Sequence, residues 1–268
     1  MDSRAIAAEV FATLGQGTQI APFSSRLEGF DLAAAYRAAG ELRALRSARG
    51  DRPVGRKIGF TNRTIWAEYD VWAPIWGYVY DRTVRDLSPA REEFLLTGLA
   101  EPRIEPEIVF GLASAPAAGM DEAALLGCID WVAHGFEIVH SIYPGWKFAA
   151  PDTVAAFGLH GGLVIGERHK IAPHAEKWQS TLATFEIDLL RDGSIVDRGH
   201  AANVLDGPLS ALRHLVELLA RDPAQPLLAA GEIVTTGTLT RAFPIAPGQT
   251  WATVLHGVGL PALRLRFA

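Results

Sequence analysis

The segment 103–110, Arg-Ile-Glu-Pro-Glu-Ile-Val-Phe, constrains the fold of this chain most, because its residues alternate as in a β-strand. Side chains two residues apart in a strand share a face, so Glu105 and Glu107 point the same way. The opposite face is apolar and is expected to pack against a folded body. Two carboxylates this close repel each other unless one takes a proton or a cation lies between them. A cation that prefers oxygen ligands, such as Mg²⁺ or Mn²⁺, is the simplest resolution; acids facing water on a half-solvated strand are the alternative.

Composition excludes several functional classes. The chain has 268 residues, 49% of them hydrophobic and 21% charged, as in an ordinary globular protein of one large or two modest domains. A net charge of −5 argues against a charge-driven nucleic-acid or membrane partner. The single cysteine, Cys128, excludes an intrachain disulfide and a multi-cysteine zinc site. The first residues lack a signal-peptide pattern and no apolar run is long enough to span a bilayer, so a cytoplasmic location is expected.

The first fifty residues are predicted to be helical. Ser3 is expected to cap a helix that ends near Gly15, and Asp31 is expected to open a second helix over 32–49. The predicted apolar stripe of the second helix consists of Leu32, Tyr36, Leu42 and Leu45. A short strand at 57–60, a helical turn and a loop follow.

After residue 100, strands dominate. Further strands are predicted at 134–140, 157–165, 231–239 and 250–267, with a hairpin of 183–190 and 195–198 around Asp192-Gly193 and a helix from 206–208. The pattern predicts an α+β protein with helices first and then a β-rich body with inserted helices. We divide it into a helical and aromatic-rich region, 1–85, and a β-rich metal-binding body, 86–268, within one integrated domain.

Two further residues are candidates for chemistry. Glu137 shares its predicted strand face with Gly135 and Val139, so it is either an isolated functional carboxylate or a surface acid on an edge strand. Lys57 lies between glycines at the start of a strand and lacks the spacing of a phosphate-binding loop; by itself it is as consistent with a surface lysine.

These motifs, in this order, resemble a known family. They are Gly-Arg-Lys-Ile-Gly-Phe-Thr at 55–61, Pro-Arg-Ile-Glu-Pro-Glu-Ile-Val-Phe at 102–110, Phe-Glu-Ile-Val at 136–139, Asp-Thr at 152–153 and Gly-Thr-Leu-Thr at 237–240. The chain resembles, over nearly its whole length, the 2-keto-4-pentenoate hydratase and 4-oxalocrotonate decarboxylase group of the fumarylacetoacetate hydrolase superfamily.

The resemblance implies a fold, a cofactor and a set of site residues. The fold would be the superfamily's β-roll or mixed β-sandwich with N-terminal and inserted helices. Mg²⁺ or Mn²⁺ would be held by Glu105, Glu107 and Glu137, and would bind a 2-keto acid through its keto and carboxylate oxygens. Lys57 would shuttle a proton or pair with the substrate carboxylate, and its burial is expected to lower its pKa. Arg103 is either a carboxylate anchor or a structural residue.

The chain also departs from the family pattern. Ile75 replaces an acid of many hydratases, and His160, where relatives often have Asn, is either a replacement base or a packed strand histidine. The predicted substrate contacts are Thr61, Asn62, Ile75, Trp76, Phe157 and Thr238. Ile75 and Phe157 replace polar residues of the family pattern, which suggests a less polar substrate tail. An aromatic pocket is expected from Trp66, Trp72, Trp76, Tyr80 and Trp146, and the loop 143–148 is a candidate lid.

The resulting hypothesis is a metal-dependent lyase that hydrates a substrate like 2-hydroxypenta-2,4-dienoate in aromatic catabolism. A 2-keto acid decarboxylase or a C–C bond hydrolase on the same site is the alternative. A non-catalytic ligand-binding homologue is the alternative of another class. The expected partner is a small 2-keto acid, and a homo-oligomer is expected because relatives assemble.

Overall fold

Two β-sheets carry most of the chain in this computed structural model, which describes residues 2–67, 71–88 and 92–268. The strands are β1 Pro53–Gly59, β2 Ile75–Tyr80, β3 Val84–Asp86, β4 Glu93–Phe94, β5 Arg103–Leu112, β6 Ile129–Val139, β7 His160–Ile165, β8 His169–Lys170, β9 Glu186–Arg191, β10 Ser194–His200, β11 Ile233–Thr235, β12 Phe243–Pro244, β13 Thr250–His256 and β14 Arg264–Phe267. The helices are α1 Ser3–Thr13, α2 Leu32–Ala48, α3 Glu122–Gly127, α4 Ala150–Ala155, α5 Ala175–Thr184 and α6 Pro208–Ala220.

The larger sheet has nine strands and a mixed topology. Its main path is β2-β1-β11-β5-β6-β7-β3, with β12 beside β5 and β8 beside β6. The second sheet has five strands in the order β10-β9-β13-β14-β4. The two sheets share a core in which Phe136, Ile138 and Val164 of the first contact Trp251 and Leu265 of the second. The predicted α+β fold with a mixed β-sandwich and flanking helices is confirmed.

The pairing of β5 with β6 determines which acids meet. The two strands are antiparallel, with Glu105 opposite Glu137 and Glu107 opposite Gly135. Ile104 and Ile108 lie on the other face of β5, and both are fully buried in the apolar core. That core requires one face of β5 to point inward, so the register places the carboxylates together on the face opposite to it.

The first region of the chain contributes directly to this sheet. Strand β1 pairs in parallel with β11, with Lys57 opposite Thr235, and antiparallel with β2. Lys57 therefore lies in the same sheet as Glu105, Glu107 and Glu137. The strand β2 was not predicted, because its run of aromatic residues around Gly77 lacks a clear alternation of apolar and polar side chains.

The two N-terminal helices form as predicted, with different details. Asp2 rather than Ser3 caps α1, and Asp31 caps α2 by accepting from the backbone N–H of Ala34. The predicted apolar stripe of α2 is partly wrong, since Leu32 and Leu45 are 39% and 36% exposed. Buried alanines take their place, because small side chains let α2 approach its neighbours closely.

Later elements also differ in part. The Asp192-Gly193 hairpin is confirmed between β9 and β10, and α6 begins at Pro208 as expected. Helix α5 was not predicted, and its last residues belong to the segment 183–190 that was predicted as a strand. Residues Phe157–Leu159 form a 3₁₀ turn before β7 rather than part of the strand. Among the described residues, none of the helices has both the length and the apolar character that crossing a membrane requires.

We predict that Gly55→Ala lowers the free energy of unfolding by about 1–3 kcal/mol, as overpacking typically does. A Cβ at Gly55 would lie 2.0 Å from the carbonyl oxygen of Ile233, so β1 and β11 would have to separate. Urea denaturation measures the effect. Gly127→Ala is the control, because a Cβ at this exposed helical position meets nothing within 4 Å. Equal stability of the two variants would contradict the close pairing of β1 with β11.

Candidate metal centre and active site

Three carboxylates converge on one point of the larger sheet. One oxygen from each of Glu105, Glu107 and Glu137 lies within 4.8 Å of the others. Glu107 and Glu137 are fully buried, while Glu105 is half-buried. The alternation predicted for 103–110 and the register of β5 with β6 together produce this cluster, and the acids do not face open water.

Backbone contacts hold Glu107 in position. Its Oε2 accepts a hydrogen bond from the N–H of Gly237 at 2.8 Å, and its carbonyl oxygen faces Nδ1 of His134 at 2.9 Å. Gly237 has a φ of +93°, and a Cβ there would lie 1.8 Å from Oγ1 of Thr61. The Gly-Thr motif at 237–238 thus supplies a backbone donor where a side chain would not fit.

Glu137 is held by two nitrogen donors. Its Oε1 accepts from Nζ of Lys57 at 3.0 Å and from Nδ1 of His160 at 2.8 Å. The other ring nitrogen of His160 lies 2.8 Å from the hydroxyl of Thr83. Thr83 was not singled out in the sequence; only its pairing with a buried histidine identifies it.

The three acids differ in their readiness to ionise. Burial raises the pKa of Glu107 well above its usual range, and the charges of Glu137 and Glu105 raise it further. Burial also raises the pKa of Glu105, to about 7. Burial opposes ionisation of Glu137 as well, but Lys57 and His160 outweigh it and lower its pKa to about 2. Without a cation, the cluster therefore keeps a proton on at least one acid near neutral pH.

The expectation that burial lowers the pKa of Lys57 is wrong for this arrangement. Burial does act in that direction, but the nearby charges of Glu137, Glu105 and Glu107 outweigh it and raise the pKa of Lys57. Its Nζ is therefore an ammonium group that faces the acids. Burial lowers the pKa of His160, so its ring is neutral and donates from Nδ1 to Glu137.

The residues fit a divalent cation. Oε1 of Glu107 and Oε2 of Glu137 are buried and have no hydrogen-bond partner among the described residues. Buried carboxylate oxygens without a donor are costly, whereas oxygens converging on one point are the ligands that Mg²⁺ and Mn²⁺ prefer. The two oxygens and Glu105 would be the protein's contribution to such a site.

An open cavity lies over this cluster. Lys57 and Glu105 are on its wall, whereas Glu107, Glu137 and His160 lie beneath the surface. Most of the remaining wall is apolar and includes Ile75, Val139, Leu159, Trp146, Phe148, Phe60 and Ala242. Such a cavity accepts a small molecule with an acidic head and a carbon chain.

The structure brings some predicted substrate contacts to the cavity and not others. Thr61, Asn62, Ile75 and Thr238 line it. The side-chain oxygen of Asn62 accepts from Thr64, and the hydroxyl of Thr238 donates to the carbonyl of Thr240.

Trp76 and Phe157 are not on the cavity wall. Trp76 stacks on Tyr36 in the core, with ring centroids 5.1 Å apart. Phe157 stacks on His140 at 5.2 Å.

Of the five aromatic residues predicted to form a pocket, Trp146 lines the cavity. Trp66 and Tyr80 belong to or pack against the core, and Trp72 is 71% exposed. Trp146 and Phe148 come from the loop 143–148, so that loop does form part of the wall. Val139, Leu159 and Ala242 were missed, because apolar wall residues have the same sequence signature as core residues.

The fold and the site define a class of protein: a β-sandwich with a carboxylate cluster for a divalent cation beneath a small-molecule cavity. A 4-oxalocrotonate decarboxylase from a Pseudomonas species is 31% identical over 234 residues, 85% of this chain and 86% of the relative. A 2-hydroxyhexa-2,4-dienoate hydratase from Comamonas testosteroni is 28% identical over 251 residues, 93% and 92% of the two chains. The chain belongs to the 2-keto-4-pentenoate hydratase and 4-oxalocrotonate decarboxylase group. No family model matches the chain.

Solved structures agree with this assignment. A 4-oxalocrotonate decarboxylase from Pseudomonas putida G7, complexed with magnesium and adipate, has a TM-score of 0.89 at 26% identity, covering 99% of this chain and 97% of that one. A fumarylpyruvate hydrolase from Pseudomonas aeruginosa, in complex with Mn²⁺ and pyruvate, has a TM-score of 0.58 at 13% identity, covering 81% and 89%, and shows likeness of fold alone.

We predict that Glu107→Gln removes the stabilisation by Mg²⁺ without weakening the metal-free protein. The amide oxygen still accepts from the N–H of Gly237, and the amide N–H can donate to Glu137. The substitution also removes one negative charge and so lowers the repulsion within the cluster. In chelator the melting temperature should equal or exceed that of wild type. Free Mg²⁺ at about 100 times Kd should raise the free energy of unfolding of wild type by about 2.7 kcal/mol. It should leave that of the variant unchanged.

Glu186→Gln is the control for this experiment, because Glu186 lies exposed on β9. It should respond to Mg²⁺ as wild type does. Stabilisation of Glu107→Gln by Mg²⁺ to the wild-type extent would remove Glu107 from the metal site.

We also predict that His140 makes the protein sensitive to acid. Burial lowers its pKa to about 4, whereas the unfolded value is about 6.5. Its stabilising contribution is therefore complete above about pH 6.5 and is lost as the pH falls towards 4, because the unfolded chain takes up the proton first. His140→Asn keeps an acceptor for the N–H of Ala100 and should reduce the loss of unfolding free energy over this range by up to about 3 kcal/mol.

Urea denaturation between pH 4 and pH 7 measures this difference. His200→Asn serves as the control, because His200 is exposed. An unchanged pH profile for His140→Asn would mean that folding does not lower the pKa of this ring.

Proposed function

We propose that the protein is a divalent-metal-dependent lyase that acts on a 2-keto acid in its 2-hydroxydienoate form. The simplest reaction is hydration of a substrate like 2-hydroxypenta-2,4-dienoate in aromatic catabolism. The observation that carries the proposal is the carboxylate cluster, with two unpartnered buried oxygens, directly beneath a cavity that has Lys57 on its wall. The relatives named as a hydratase and a decarboxylase of such acids support it.

The residues of this chain would divide the work as follows. A divalent ion held by Glu105, Glu107 and Glu137 would supply Lewis-acid stabilisation of negative charge on the oxygens of the 2-keto acid. Lys57 is the cavity-facing group whose Nζ can give a proton to a substrate carbon and then, as an amine, take one from the attacking water. Glu137 fixes Nζ through the 3.0 Å ion pair.

His160 was predicted as a replacement base, but it does not lie on the cavity wall. It contacts Glu137 rather than the cavity, so we assign it a positioning role: it orients the carboxylate that holds Lys57. The contact of its second ring nitrogen with Thr83 fixes the ring plane.

Decarboxylation is the second candidate, and one observation favours it. Ile75 lies on the cavity wall, where many hydratases carry an acid. Its apolar side chain cannot bind a water molecule there. A carboxylate loses CO₂ more readily where water is excluded. C–C bond hydrolysis would require a water-activating pair on the wall, and the pair His160–Glu137 lies below it.

A product assay with Mg²⁺ separates these reactions. Hydration of the dienoate gives a 4-hydroxy-2-keto acid, and decarboxylation of a 2-keto-enedioate releases CO₂. Failure to bind metal and failure to turn over either substrate would favour the non-catalytic homologue. A homo-oligomer and a cytoplasmic location remain predictions.

We predict that Lys57→Met lowers kcat by about 10²- to 10⁴-fold, the usual contribution of a proton-transfer group. The stabilisation by Mg²⁺ should remain, because the carboxylate oxygens are unchanged. Lys170→Met is the control, since Lys170 pairs with Asp130 on an exposed edge. Loss of Mg²⁺ stabilisation together with activity would make Lys57 a structural partner of the acids instead of a proton carrier.

A further inference from the structure

The loop 143–148 forms one side of the cavity wall, and its first residue is firmly held. Tyr143 is buried, and its hydroxyl donates to the carbonyl of Asp152 at 2.9 Å. After Tyr143 the chain turns through the exposed Gly145, with a φ of +65°, and through Trp146, with a φ of +59°. A left-handed backbone is uncommon for a residue as bulky as tryptophan, so contacts from outside the turn must hold it there.

Glu101 supplies two of these contacts. Its carboxylate oxygen Oε1 accepts from the N–H of Gly145 at 2.9 Å, and its backbone carbonyl accepts from Nε1 of Trp146 at 3.0 Å. Glu101 is itself exposed and lies outside the cavity wall. Its backbone is also left-handed, with a φ of +45°. One residue in an uncommon conformation therefore binds the loop through both its main chain and its side chain.

A second donor fixes the Glu101 carboxylate. Nε2 of Gln19 donates to the same oxygen, Oε1, at 2.8 Å and to the carbonyl of Ser141 at 3.0 Å. Ser141 lies just before the loop, so Gln19 joins the carboxylate to the part of the chain from which the loop starts. Hydrogen bonds to an ionised carboxylate are stronger than those between neutral groups, and the bond to Gly145 is one of them.

The aromatic residues of the loop form one group. The ring centroids of Trp146 and Phe148 are 6.1 Å apart, and those of Phe148 and Tyr143 are 6.2 Å apart. Arg103 covers the Trp146 ring, with its guanidinium carbon 4.0 Å from the centroid. A change of the turn at Gly145 would therefore displace both aromatic residues that the loop contributes to the cavity wall.

We propose that Glu101 is a positioning residue that holds the loop 143–148 in its cavity-forming conformation. Its carboxylate keeps the turn at Gly145 closed, and the closed turn keeps Trp146 and Phe148 on the wall. The two hydrogen bonds from the loop to Glu101 are called the latch below. The effect of the latch on ligands rests on the proposed function, because it assumes that a 2-keto acid binds in this cavity. The latch itself does not depend on that function.

Hydrogen exchange of the Trp146 indole N–H, followed by NMR and assigned with Trp146→Phe, tests the latch. In Glu101→Ala the acceptor of this N–H is unchanged, because it is a backbone carbonyl. Faster exchange would therefore report opening of the loop. We expect exchange about ten- to hundredfold faster than in wild type, the range for loss of a hydrogen bond to a charged group. An unchanged rate would overturn the inference.

Glu101→Gln is the conservative variant, because its amide oxygen can accept from both Gly145 and Gln19. It should restore most of the protection of the Trp146 indole. Exchange as fast as in Glu101→Ala would show that a neutral acceptor cannot replace the carboxylate, and it would overturn the geometric part of the inference.

Two controls separate the latch from a general loss of stability. The indole of Trp178 donates to the carbonyl of Lys170 at 3.1 Å, and its exchange should be the same in all variants. Glu217→Ala is the matched variant, because Glu217 also accepts from a glycine N–H, that of Gly119 at 2.8 Å, but outside the cavity. It should leave the Trp146 indole protected. Equally faster exchange of both indoles in Glu101→Ala would overturn the latch.

Calorimetric titration with 2-oxopentanoate, a five-carbon 2-keto acid, tests the effect on ligands in the presence of Mg²⁺. Glu101→Ala should bind it about tenfold more weakly, because binding must first restore the wall. Its affinity for Mg²⁺ alone should equal that of wild type. Equal affinity of wild type and Glu101→Ala for 2-oxopentanoate would overturn the positioning role. Absence of binding to wild type would instead defeat the proposed function, and the exchange rates would still decide whether the latch exists.

Discussion

Electrostatic repulsion among three clustered carboxylates is the constraint on which the rest of the site depends. The apolar face of β5 fixes which side chains point into the core, and the register with β6 then brings Glu105, Glu107 and Glu137 together. A cluster like this destabilises a folded chain unless protons or cations compensate it. Lys57 and His160 on Glu137, and the backbone of Gly237 on Glu107, provide part of that compensation. The unpartnered oxygens show where the remaining positive charge belongs.

The sequence revealed the part of this site that is local. A period of two was enough to put Glu105 and Glu107 on one face of a strand. The partner acid, Glu137, lies on another strand, so the pairing register decides its place, and its role followed only from the resemblance to the family. Thr83 and His134 escaped notice for the same reason: each acts through a contact with a residue distant in the sequence.

The errors about the fold have a similar origin. Leu32 and Leu45 fit the helical period as well as the alanines do, and only the closeness of the neighbouring helices decides which face is buried. The sequence does not distinguish Trp76 from Trp146. Trp76 stacks on Tyr36 in the core, whereas Trp146 forms part of the cavity wall. Core and pocket residues obey the same preference for apolar surroundings, so composition cannot separate them.

The parallel pairing of β1 with β11 has a consequence for biosynthesis. It joins Lys57 to the segment just before Gly237, which is synthesised after all three acids of the cluster. A ribosome would therefore have added Glu105, Glu107 and Glu137 to the chain before the glycine that orients Glu107. Until that moment the nascent chain would hold its acids without their full set of donors, and the central sheet would lack one of its inner strands. Cation capture should therefore follow the synthesis of Gly237, and a product terminated before that residue should be unable to retain the ion.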